Sequence, residues 1–299
     1  GALETFTLDT SQSPRARRTA FEWLTAVDPL AKRRLIYRFL DDPSMSLRYD
    51  AVAQMIAEND DLTVEDADGN AVEGAVEVKK NVYRKALGYA RDPGQIEAIA
   101  ERLEEMGEVV DVPGVMGFLK TWQVIGPFDN TGLAHFDTVY PPETEHLLAK
   151  PYAGKTGDVA WQPATAGADE GYVDFIGPLG REKEAVAYAY ATFLADGGEA
   201  ELRYQSKNAT KVWLNDELVA TNEVYHSGGG FDQYRVPVVL RPGENTLLVK
   251  ACQNEQQRSW EREWSVRLRV VDAVGTPVAS QPSVAVDAKP AGAANAPRF

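Results

Sequence analysis

The stretches SKNATKVWLNDEL (residues 206–218) and FDQYRVPVVLRPGENTLLVKACQ (residues 231–253) decide the fold reading. In the first, Lys211, Val212, Trp213 and Leu214 alternate with the period of two that sends successive side chains to opposite faces of a sheet. Asn215-Asp216 then forms a polar turn before a return run over residues 217–220, which predicts a hairpin. In the second, Arg241-Pro242-Gly243-Glu244-Asn245 separates two apolar runs rich in β-branched residues, 236–240 and 246–252, and predicts a second hairpin. Consecutive turns and strands of this kind point to a β-sandwich, and to binding or scaffolding more than to catalysis.

Further strands follow the same signals on both sides. Trp122 to Phe128 opens the β region, and runs at 172–176, 186–194, 199–205 and 264–271 continue it. In 186–194, Val, Tyr, Tyr, Thr and Leu alternate with Ala and Phe, as a strand with two covered faces requires. Short strands separated by turn residues favour an antiparallel arrangement.

Residues 14–107 read as helices. Ala20, Phe21, Trp23, Leu24 and Val27 share a face in 14–27; Leu35, Ile36, Phe39 and Leu40 do so in 30–40; Leu47, Ala51, Val52, Met55 and Ile56 do so in 47–57. Asp92-Pro93 starts a last helix carrying Ile96, Ile99, Leu103 and Met106. Asp66-Ala67-Asp68-Gly69-Asn70 has the acidic spacing of a calcium loop, but Ala71 stands where the turn demands Gly, so a surface turn over 63–72 is expected. The expected domains are a helical stack at 14–110, a β-sandwich at 119–276 and a disordered or extended tail at 277–299.

The turn pattern resembles the galactose-binding-like jelly-roll modules, including the sugar-binding domain of family 2 glycoside hydrolases. Trp213-Leu214-Asn215 stands in their aromatic-Leu-Asn-Gly turn, with Asp216 replacing Gly. Leu240, Gly243, Asn245, Leu247, Val249 and Lys250 stand in the following LxxGxNxLxVK pattern. The recurrence of Asp-Pro at Asp28, Asp42 and Asp92, with SMSLRYDAVAQMI, resembles HEAT-type repeats. The implied fold class is α+β multidomain, a HEAT-like stack followed by an antiparallel galactose-binding-like sandwich. The resemblance also implies that any bound metal would be a structural calcium on oxygen ligands.

Composition narrows the function. At 299 residues the chain can bury two cores, and its net charge of −14 opposes binding to nucleic acid or anionic lipid. The basic clusters Arg15-Ala16-Arg17-Arg18 and Lys32-Arg33-Arg34 read as solvated helix faces. No apolar run is long enough to insert into a membrane. Cys252 is the single cysteine and sits in an apolar strand, the setting of a buried, inert thiol. The chain opens at Gly1 without Met, so a removed signal peptide and an extracytoplasmic location are expected.

The chemistry-bearing residues gather in three connections, 128–158, 222–233 and 254–263. Sugar recognition needs a flat ring with amides, carboxylates or Arg around it. Tyr225, His226, Asp232, Trp260 and Arg262 are therefore the candidate ligand-binding residues, while Trp213 and Trp264 are expected in the core. His135, His146 and His226 show no zinc spacing, no nucleophile elbow occurs, and no catalytic residue is assigned. The sequence thus reads as a non-catalytic carbohydrate-binding or accessory module with no cofactor, whose helical region orients it or docks a protein. A protein-binding scaffold of the cell envelope and a glycan hydrolase or lyase with an interface active site are the alternatives.

Overall fold

The computed structural model describes residues 1–65, 72–168, 170–226, 229–258 and 262–281. Helices come first: α1 (Ala2–Leu8), α2 (Pro14–Val27), α3 (Leu30–Leu35) continued by a 3-10 turn at Ile36–Phe39, α4 (Met45–Asp60), α5 (Ala75–Tyr89), α6 (Pro93–Glu105) and α7 (Val112–Val115). Proline at the first position starts α2 at no hydrogen-bonding cost, and the Asp92 carboxylate accepts the Gln95 N–H at 3.1 Å to cap α6. The predicted apolar faces meet except in α2, where Trp23 and Val27, expected on the face of Phe21 and Leu24, turn outward and are exposed. Phe21, Leu24, Leu35, Phe39, Leu47 and Ala51 form one core, while Val52, Ile56, Tyr83, Ile96, Ile99 and Leu103 form a second that extends to Met116 and Phe118. Of the calcium-like loop and the surface turn expected over 63–72, residues 66–71 lie outside the described residues; at its ends the Val72 N–H donates to the Val64 carbonyl at 2.8 Å.

Arg17 corrects the reading of the first basic cluster. It is 1 % exposed, with both terminal nitrogens on the Asp42 carboxylate at 2.8 and 2.5 Å and Nε on the Thr7 carbonyl at 2.9 Å. A buried guanidinium needs such partners, so Asp42 serves as its counter-ion and α4 is preceded by Ser44 instead.

The strands are β1 (Thr121–Asp129), β2 (Tyr152–Ala153), β3 (Asp158–Val159), β4 (Gln162–Thr165), β5 (Val173–Asp174), β6 (Ala185–Ala195), β7 (Gly198–Gln205), β8 (Ala209–Leu214), β9 (Glu217–Asn222), β10 (Tyr234–Leu240), β11 (Gly243–Gln253) and β12 (Ser265–Val271), with α8 (Ile176–Leu179) after β5. Their pairings are antiparallel, in a six-stranded sheet ordered β4-β1-β6-β11-β8-β9 and a four-stranded sheet ordered β10-β7-β12-β5. The class is α+β. Trp122, Phe193, Leu247 and Val249 of the larger sheet share one apolar layer with Leu202, Tyr204, Leu268 and Val270 of the smaller. The alternation in β6 is realised: Ala187, Ala189 and Phe193 face this layer, while Val186, Tyr188 and Tyr190 face Phe136, Tyr140, Tyr152 and Trp161 of the long 130–161 connection.

Asn215 and Asp216 both have positive φ, 52° and 70°, and Leu214 pairs with Glu217, so β8 and β9 join through the two-residue hairpin that the sequence predicts. The second predicted hairpin is a different structure. β10 pairs with β7 and β11 with β6 and β8, so Arg241-Pro242 carries the chain from one sheet to the other. Asn245, 0 % exposed, holds this arch: its Nδ2 donates to the Arg241 and Gly243 carbonyls at 2.8 and 3.1 Å, and its Oδ1 accepts from Arg241 N–H at 3.0 Å and Asn215 Nδ2 at 2.9 Å. Beside it, Gly197 has φ 87° and a Cβ there would lie 2.9 Å from Pro242 N, so the β6–β7 crossing needs glycine.

Of the tail, Val278 N–H donates to Val270 O at 3.1 Å and Ser280 bridges Leu194. The Gln281 side chain bonds Thr121 O, Thr192 O and Lys120 N–H, so residues 277–281 of the stretch expected to be disordered or extended are tied down. Residues 282–299 lie outside the described residues.

Candidate ligand-binding site

Register places the candidate loops at one end of the two sheets. Asp129 pairs with Ala185, Ala185 with Gln253, Cys252 with Ala209, and Tyr204 with Tyr234. The connections 130–135, 182–184, 206–208, 223–233 and 254–263 therefore leave from the same edge. An arch returns the chain to the same end as a hairpin does, so the 223–233 and 254–263 loops meet although β10 and β11 lie in different sheets.

Buried amides knit this end together. Asn130, 0 % exposed, donates to the Tyr225 hydroxyl and the Gln253 carbonyl, both at 3.2 Å, and accepts the His135 N–H at 3.3 Å. Asn208 Nδ2 donates to Gln253 Oε1 and the Glu263 carbonyl at 3.2 Å, and its Oδ1 accepts from Ser265 N–H. The His226 N–H bonds the Lys207 carbonyl at 2.7 Å, and its ring Nε2 contacts Asn254 Nδ2. Amides this buried must be paired, and pairing them fixes the loops from below.

The candidate residues do not share one role. Tyr225 is half-buried, and burial pushes its hydroxyl up to about 12, so it is a neutral donor and acceptor at ordinary pH. His226 is half-buried beside it, and Arg262 is exposed, with Nε on the Gln257 carbonyl at 2.8 Å. Glu223, Glu255, Gln256 and Gln257 are exposed on the same rim. Trp260 lies outside the described residues. Asp232 lies elsewhere: its side chain is 3 % exposed, with the Arg269 guanidinium at 2.8 and 2.5 Å, Arg203 at 3.3 Å and Arg235 at 3.6 Å. Its neighbour Phe231 meets Phe118 edge-on at 6.0 Å and lies under Arg269 and Arg267 at 4.6 and 5.1 Å. Arg269 Nη1 also donates to the Met116 carbonyl. The later half of the 223–233 loop is thus the joint between the sheets and the helical region.

A second buried charge lies on the outer face of the larger sheet. Lys250, 0 % exposed, donates to Glu143 at 3.0 Å and the Thr138 carbonyl at 2.7 Å, and the Tyr188 hydroxyl shares the same carboxylate. The signal was an ammonium inside the apolar run LLVKACQ, which demands a counter-ion; its partner lies 107 residues away. Trp264 is fully buried with Nε1 on the Ala251 carbonyl, as expected, whereas Trp213 is half-buried on the outer face of β8. Burial pushes the Cys252 thiol up to about 12, which removes it as a nucleophile. His135 contacts Thr138 Oγ1 at 3.1 Å and Asp129 at 3.3 Å, but Thr131 also holds that carboxylate, and the contacts are those of a local turn. Among the described residues, no group of three or more His, Cys, Asp and Glu side chains is placed to hold a metal ion.

No protein-family model matches this chain, and no curated protein does. Among solved structures it is similar to CBM35 from Paenibacillus barcinonensis, at 16 % identity over 35 % of this chain and 80 % of that one, with TM-score 0.23. It is also similar to a family 35 carbohydrate-binding module from Clostridium thermocellum, at 16 % identity over 50 % of this chain and 98 % of that one, with TM-score 0.25. A β-glucosidase from Kluyveromyces marxianus in complex with glucose matches at 10 % identity over 50 % of this chain and 15 % of that one, with TM-score 0.28. At these scores the likenesses carry no argument about the site. Among the described residues no helix is long and apolar enough to cross a membrane.

Proposed function

We propose that the chain carries a galactose-binding-like β-sandwich at 119–276 behind a short HEAT-like helical stack at 14–110, and that it is a non-catalytic carbohydrate-binding or accessory module acting outside the cytoplasm. The observation that carries this reading is the end built on buried amides. There the half-buried Tyr225 ring sits beside His226, below a rim of carboxylates, amides and Arg262. A ring offers a face for the apolar side of a sugar, and the rim groups match its hydroxyls. Tyr225, His226, Trp260 and Arg262 are the proposed contacts; Asp232 supports them by fixing the loop that carries Tyr225.

The second reading, a protein-binding scaffold, is favoured by the burial of Phe231 and Asp232, which takes half of that loop away from any ligand. A glycan array probed with the full chain separates the two. The carbohydrate reading expects a defined set of bound glycans, lost in Tyr225→Ala and Arg262→Ala; a chain blind to every glycan overturns it. Turnover of a bound glycan would favour a hydrolase or lyase instead.

A further inference from the structure

Helix α2 is apolar on two sides. Phe21 and Leu24 face the core, while Ala16, Ala20, Trp23 and Val27, spaced four, three and four residues apart, form a second stripe. Trp23 is 64 % exposed and Val27 76 %, and Leu3 and Phe6 of α1 form the other wall of a groove floored by Ala20. A helix with two apolar faces is built to be packed on both, yet no described residue covers the outer one. The opposite end of the helical region differs, because Phe231 and Phe118 close the core of α4, α5 and α6.

Among the described residues lining the groove, Arg15 is the one that carries a charge. Residues 2–27, which form both walls, hold Arg15, Arg17 and Arg18 against Glu4, Asp9 and Glu22. Arg17, Arg18 and Arg34 are engaged by Asp42, by Glu22 and Asp50, and by Asp28 and Glu4. Arg15, on the rim of the groove, is exposed and has no ion pair among the described residues.

We propose that the groove binds an amphipathic helix of a partner protein that sets apolar anchors between Phe6 and Trp23 and an acidic flank against Arg15. Helix-in-groove recognition reads anchors three and four residues apart, and exposed Trp and Arg supply most of the energy in such contacts. This surface is separate from the proposed sugar site and stands whether or not that site binds glycans.

The test titrates two labelled peptides into the full chain. Both are 21-residue helices with Leu at the a and d positions, one with Glu and the other with Lys at e and g. The Glu peptide should bind, the Lys peptide should bind at least about tenfold more weakly, and Trp23→Ala should cost the Glu peptide about tenfold or more. Arg15→Glu should reverse the preference, with the melting temperature unchanged because both side chains are exposed. Equal binding of the two peptides, binding of neither, or a concentration-dependent dimer abolished by Trp23→Ala would overturn the proposal, the last by making a second copy the occupant.

Discussion

Tyr225 and Asp232 lie seven residues apart in one connection, and the structure uses them in opposite ways. The first half of the loop rests on Asn130 and Asn254 and leaves the ring half-buried; the second half is drawn inward by Arg203 and Arg269. The residue types, an aromatic beside a polar group, are the same in both halves. What separates them is which side chains the sheets bring underneath: neutral amides at the loop end, guanidinium groups at the junction with Phe118.

Removing the charge at the inward half gives the largest expected effect. Asp232→Ala leaves two guanidinium groups buried without their shared carboxylate, at a cost of about 3–5 kcal/mol in a denaturation experiment. A loss below about 1 kcal/mol would mean that the joint does not hold the loop. Asn245→Ala tests whether the arch that returns β11 to the loop end depends on one side chain. It strips several backbone groups of partners and should cost about 1–3 kcal/mol without touching the site.

At the outward half the same kind of truncation should cost less stability than Asp232→Ala and act chiefly on binding. Tyr225→Ala is expected to weaken glycan affinity by about 1–3 kcal/mol, read by calorimetric titration. A large loss of stability with unaltered affinity would make Tyr225 another structural residue. The smallest effect is electrostatic and distant from both halves. The Arg102 guanidinium, with the Tyr83 hydroxyl, holds the Asp60 carboxyl below the usual carboxylate range. A depressed folded pKa stabilises fully above the unfolded value near ~4 and is lost as pH falls through the folded one. Asp60→Asn should therefore cost about 0.2–1 kcal/mol at neutral pH and nothing at pH well below the folded value, and the difference should shrink in salt because the pair is partly exposed.

Helix α2, the cap of α6 and strands β6 to β12 were legible because proline positions and apolar period report on local geometry. The short α1 and the two-residue strands β2 and β3 were not, since too few residues carry a period. The arch at Pro242 was misread because a Pro-Gly turn is compatible with either a hairpin or a crossing; only the partners of the flanking strands distinguish them. At the site, the rim of amides and charges was visible, but Asp232 was not separable from Tyr225, since Arg203 and Arg269 lie 29 and 37 residues away in sequence. Arg17 repeats the lesson, with Asp42 as its distant partner.

Amide hydrogen exchange of the full chain, with and without a saturating glycan taken from the array, tests the central claim most directly. Slowed exchange at residues 223–226 and 254–257, with no change at 230–233, is the result expected if the loop end is the sugar site. Protection confined to the 130–161 connection or to the helices, or none at all with binding demonstrated, would contradict it.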